Sequence, residues 1–140
     1  MSGTDVQAQC AGGEGFSHNE INPDDSENRM IQLWVLPEHP GEPAGYKFYQ
    51  PKPGGMTRIY GGSTDQDETF DSHTFIDVGL FETAQNTSIS GPFLAYLTRG
   101  SGVIDGKVVT DGDLIRGEDR SFQATGDVQI IVAHTAQSAL

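Results

Sequence analysis

A chain of 140 residues can bury one real core but is too short for two ordinary domains, so a single domain is expected. Its 20 Asp and Glu against 8 Lys and Arg give a formal charge of −12, which repels phosphate backbones and anionic lipid, so neither nucleic acid nor a membrane is an expected partner. No apolar run of about 18 residues is present to cross a bilayer, and Met1–Ala11 has neither the basic start nor the apolar centre of a secretory signal, so the cytoplasm is the expected compartment.

With 18 Gly and 7 Pro among 35% hydrophobic residues, the composition fits short strands joined by many turns, and the expected class is all-β. Residues 1–12 are small and polar with no period that buries a face, and read as a loose terminus or a first edge strand. The one cysteine, Cys10, has no partner for a disulfide and no Cys-x-x-Cys spacing for zinc, so it reads as a small tail residue. In His18-Asn19-Glu20 the His and the Glu stand two apart. On an extended segment they share a face, the geometry in which one strand offers two ligands to a metal. Asn22–Asn28 consists of turn residues and reads as a surface loop.

Met30-Ile31-Gln32-Leu33-Trp34-Val35-Leu36 is apolar at nearly every position, which predicts a strand covered on both faces, between two layers or two chains. Prolines 37, 40, 43, 51 and 53 then exclude a long helix and leave room for a short strand at Tyr46–Tyr49. Gly54–Glu68, glycine-rich and acidic, reads as a connection. Strands are predicted beyond it at Thr74–Glu82, Pro92–Arg99, Gly102–Ile104, Lys107–Thr110, Asp113–Gly117, Ser121–Ala124 and Val128–His134. Asp105-Gly106 between two apolar runs predicts a type I′ hairpin, because both central positions of that turn need positive φ. His73 and His134 stand beside strands without an acidic or cysteine partner at ligand spacing, and read as structural. No serine lies in a nucleophile elbow and no glycine-rich run carries a phosphate-loop lysine.

The run Leu94–Ile115 (LAYLTRGSGVIDGKVVTDGDLI) resembles the back half of a cupin barrel, in which a strand ends at a glycine, a hairpin follows, and a Gly-Asp turn leads into the next strand. The opening stretch Gly13–Pro23 (GEGFSHNEINP), followed by IQLWVLP at Ile31–Pro37, resembles the pirin family, whose members carry two cupin barrels in one chain. The resemblance implies that this chain corresponds to the tail of a first barrel plus a complete second one. The implied fold is a single cupin-type jelly-roll β-barrel or sandwich with an N-terminal strand arm. Residues 1–40 would form the arm, packed on a partner chain, and residues 41–140 the barrel.

In that family the iron site has three histidines and one glutamate, two of the histidines coming from an earlier His-x-His that this chain lacks, so only His18 and Glu20 match. Where a cupin places its own His-x-His the second barrel reads Ser88-Ile89-Ser90, and Phe122 stands at the later histidine position. No cofactor is therefore expected in the intact barrel, and iron or another divalent metal is confined to His18 and Glu20. The implied interior, Phe81, Phe93, Tyr96, Leu97, Ile115, Phe122, Ile130 and Val132, is either packed or holds a small apolar ligand.

In a pirin the Met30–Leu36 strand belongs to the barrel that is mostly missing here. Met30, Ile31, Leu33, Trp34, Val35 and Leu36 then need substitute cover, and a second copy provides it in a homodimer built by strand exchange. The leading expectation is a non-enzymatic small-ligand or protein-binding module. The alternatives are a metal-dependent (iron or nickel) dioxygenase of the quercetinase type, and half of a split pirin completed by another polypeptide.

Overall fold

Alternation of apolar and polar side chains with a period of two is the dominant pattern after residue 70, and it builds one curled antiparallel sheet. The computed structural model describes residues 4–15, 17, 18 and 20–135. Its strands are β1 (Val6–Cys10), β2 (Gly45–Tyr49), β3 (Gly55–Gly62), β4 (Ser72–Phe81), β5 (Asn86–Arg99), β6 (Ser101–Ile104), β7 (Lys107–Thr110), β8 (Leu114–Ala124) and β9 (Val128–Thr135). Seven of them lie in the order β3-β4-β9-β5-β8-β6-β7, while β1 and β2 pair with each other. There is no helix among the described residues, and the class is all-β, as expected.

One face of the large sheet wraps the main core. Phe81, Phe93, Ala95, Leu97, Phe122, Ile130 and Val132 are buried together, with Met56 and Ile115 packed against them. Phe122, Leu97 and Ile130 are 0% exposed. Phe122 reaches that position only because residue 102 is glycine: a Cβ there would stand 2.3 Å from the Phe122 ring. On the opposite face Ile59, Ile76 and Val78 form a second, smaller core, packed by Val6, Tyr49, Tyr60, Ile131 and Ala133. The β1–β2 pair covers this outer face, held there by Tyr49 Oη donating to the Glu68 carbonyl at 2.7 Å and Lys47 Nζ to the Asp67 carbonyl at 2.5 Å.

Most expected strands are present, and the Asp105-Gly106 turn has φ of 50° and 76° as its hairpin requires. Four readings need correction. Gly54–Glu68 is not a simple connection: β3 runs through it, its glycines used at two register shifts, with Gly61 and Gly62 at positive φ. Asp113–Gly117 and Ser121–Ala124 belong to one unbroken β8, whose polar middle faces solvent and whose bulge opposite Ile89–Pro92 includes Asp119 at φ 50°. Met30–Leu36 is not a strand, for within one chain no neighbouring strand pairs with its backbone. Tyr96 does not face the interior. Its neighbours Ala95 and Leu97 point into the core, so the pleat turns Tyr96 outward.

Candidate functional site

The metal motif lies on irregular chain at the surface. His18 Nε2 is 3.2 Å from Glu20 Oε1, with the two side chains 45% and 44% exposed. Gln32 Nε2 donates to the same Glu20 oxygen at 2.8 Å. Among the described residues no group of three or more His, Cys, Asp and Glu could hold a metal. A transition ion held by this chain needs at least three protein donors, so His18 and Glu20 alone do not make an iron site. Phe16 and Asn19, within the same motif, lie outside the described residues.

Beyond this motif the chain forms a strap tied at both ends. Arg29 Nη1 donates to Asp111 Oδ1 at 3.0 Å, in the turn before β8. At the other end the Glu38 carboxylate accepts from Ser72 Oγ and the His73 backbone N–H, each at 3.3 Å, and lies 2.5 Å from His73 Nδ1. These bonds, chiefly the His73 side chain, hold the Glu38 carboxyl below its usual range. Between the ties Trp34 is 93% and Leu36 89% exposed, and Met30, Ile31, Leu33 and Val35 are also open to solvent. The residues expected to form an interface are thus displayed on the surface of the single chain.

The expected ligand-lining residues, Tyr96 aside, are in or against the main core: Phe81, Phe93, Leu97, Phe122, Ile130 and Val132 are buried, and Ile115 is partly so. They pack on one another in a single cluster. Space occurs instead at one end of the sheet. A cleft of about 300 Å³ is lined there by Met56, Phe75, Asp77, Ile89, Val132 and His134, with Ser88 and Ser90 on its rim.

That end carries a cluster which spacing in the sequence does not reveal. Arg58 from β3, Asp77 from β4 and His134 from β9 are brought side by side by the β3–β4 and β4–β9 ladders. Arg58 donates to both Asp77 oxygens, Nε at 2.9 Å and Nη2 at 3.3 Å. His134 Nε2 lies 2.8 Å from Asp77 Oδ2. The Arg58 guanidinium stacks 4.0 Å over the Phe75 ring, and His134 meets the same ring edge-on at 5.4 Å. Burial pushes the Asp77 carboxyl up, but the bonds from Arg58 and His134 outweigh it and hold the group below its usual range. An ionised carboxylate only accepts, so His134 Nε2 carries a proton and donates to Asp77. His134, read from sequence as structural and unpartnered, therefore has an acidic partner 57 residues away. His73 likewise has Glu38.

The lone thiol is less promising. Burial, then the charges of Glu42 and Asp71, push the Cys10 thiol up, which keeps it protonated and poorly nucleophilic at neutral pH.

No protein-family pattern and no curated protein sequence matches the chain. Solved structures do. The bacterial pirin YhhW from Escherichia coli, in complex with nickel(II), superposes with a TM-score of 0.61 at 15% identity over 74% of this chain and 48% of its own. A second YhhW structure gives 0.58 at 15% identity, covering 71% and 47%. Quercetin 2,3-dioxygenase from Acinetobacter baumannii gives 0.52 at 16% identity, covering 68% and 40%. At these identities the likeness is one of fold, a cupin-type jelly roll, and the chain spans about half the length of the pirin it matches.

Proposed function

We propose that this chain is a pirin-like, non-enzymatic binding module built on a single cupin barrel, and that it acts as a homodimer in which the Met30–Leu36 straps of two copies cover one another. One observation carries the reading. An apolar strap fixed at Arg29 and Glu38 holds Trp34 and Leu36 almost fully open to water. Soluble monomers seldom display so concentrated an apolar strip, and two-fold pairing buries it with no other chain required.

Light scattering tests it. The wild-type chain is expected at twice the chain mass and Trp34→Asp at the chain mass. A monomeric wild type, or a Trp34→Asp dimer, overturns the assembly. The fold likeness to the Acinetobacter enzyme favours one other reading, a metal-dependent dioxygenase. Stoichiometric iron or nickel that is lost in His18→Ala would replace the binding-module proposal, whether the missing donors come from a second copy or from another polypeptide.

A further inference from the structure

Met56, Phe75, Asp77, Val132 and His134, all lining the cleft at the end of the barrel, stand on one face of the sheet. In the β4–β9 ladder Phe75 lies opposite His134 and Asp77 opposite Val132, and in the β3–β4 ladder Met56 lies opposite Gly79 and Arg58 opposite Asp77. Residues in direct register share a face, and this one carries Phe81, Ile130 and Val132 of the main core. Ile89, a member of the same core, adds a wall from β5. The cleft is therefore apolar on four sides of a single carboxylate, that of Asp77, whose side chain is 13% exposed. Held below its usual range, this carboxyl is ionised at neutral pH. A carboxylate has about four acceptor sites. Arg58 Nη2 and His134 Nε2 take both on Oδ2, and Arg58 Nε takes one on Oδ1, so one site on Oδ1 remains.

We infer that this cleft binds a small neutral alcohol, whose hydroxyl donates to Asp77 Oδ1 and whose apolar body packs on Met56, Phe75, Ile89 and Val132. An ionised carboxylate accepts and cannot donate, so the ligand must bring the proton. A carboxylate on the ligand would meet the Asp77 charge in a chain of formal charge −12. An ammonium would meet the Arg58 guanidinium, which holds the same carboxylate and balances its charge. A neutral hydroxyl meets neither repulsion. The volume of about 300 Å³ lies at the lower end of the range of about 300–1,000 Å³ usual for ligand sites, which suits a body of one ring. The inference rests on the binding-module reading, whose ligand class it names, but not on the dimer.

The test is an amide-shift titration at neutral pH with four probes of matched body: benzyl alcohol, benzyl methyl ether, benzylamine and benzoate. On the wild type, benzyl alcohol is expected to shift the amides of Met56, Phe75, Ile89 and Val132. The ether, which has lost the donor, and the two charged probes should each bind at least about tenfold more weakly. Asp77→Asn sets an N–H donor beside an uncharged acceptor, so it should bind alcohol and ether within about threefold of each other. The wild-type series decides the matter even if that variant fails to fold. An alcohol that leaves the cleft amides unmoved, an ether or a charged probe that binds as well as the alcohol, or an Asp77→Asn variant that keeps the full preference overturns the inference. Shifts confined to amides outside the cleft sink the cleft and leave the binding module standing. Stoichiometric iron or nickel sinks the module, and leaves the cleft standing wherever the preference for the alcohol holds.

Discussion

Val128–Val132 in β9 and Met30–Leu36 in the strap are both rich in apolar residues, yet Val128, Ile130 and Val132 of the first are buried to a few per cent and the second stands open. The difference lies in their backbones. β9 pairs with β4 on one side and β5 on the other, so its alternate side chains enter two cores, Val128, Ile130 and Val132 inward and Ile131 outward. The strap has no ladder partner, and its two ties come from the charged groups at its ends. Apolar composition alone therefore does not decide burial; an open strand edge or a covering layer must be available to receive the run.

The largest test of this contrast is Phe122→Ala, on the barrel side. Phe122 is 0% exposed, and its removal leaves a cavity beside Gly102, so denaturant unfolding should show a loss of about 3–5 kcal/mol. A loss below about 1 kcal/mol would mean that the barrel interior is loosely packed, and would reopen it as a ligand chamber.

Asp77→Asn should have an intermediate effect, about 1.5–3 kcal/mol at neutral pH, because charge-assisted bonds to Arg58 and His134 are lost at a partly buried site. The pH dependence sharpens it. The folded carboxyl lies below its ordinary value, so its contribution is present above the unfolded value of about 3.9 and is lost as pH falls through the folded one. Unfolding titrations below about pH 4 should show a flatter acid limb for Asp77→Asn than for the wild type. Identical limbs would show that another group governs acid stability.

The smallest stability effect belongs to the strap. Trp34→Asp should change the unfolding free energy of the dissociated chain by less than about 0.5 kcal/mol, because the side chain packs on nothing that unfolding would expose. Fluorescence-monitored denaturation at low concentration checks this, and a loss of several kcal/mol would place Trp34 in the monomer's own packing.

Much of the barrel was legible in the sequence, because from Thr74 onward alternating side chains and Asp-Gly turns make local statements about local structure. The edge strand β3 was hidden, since Gly61 and Gly62 look like loop residues and only the bulges that use them make a strand of the segment. Missing β3 meant missing Arg58, and with it the cluster at the barrel end. His134 and Asp77 were unreadable as a pair for a different reason: the register of the β4–β9 ladder, not any spacing, makes them neighbours. Tyr96 went wrong by one step of the pleat. At Met30–Leu36 apolar composition was taken for strand pairing, which composition does not specify.

The pairing of β1 with β2 alters what residues 11–44 are. Val6–Cys10 and Gly45–Tyr49 form an antiparallel ladder that ends at Cys10 opposite Gly45, extended by the Gly13 N–H bonding the Glu42 carbonyl at 3.2 Å. The metal-like motif and the strap are therefore not a tail leading into the barrel but the loop of a hairpin, closed at its base and pinned twice along its course. Loops this long are uncommon in compact domains unless they serve a function. Closing such a loop grows harder only slowly with its length, by about 0.6 kcal/mol per doubling, so insertions and deletions there can reshape what the protein meets at its surface while the barrel beneath stays as it is.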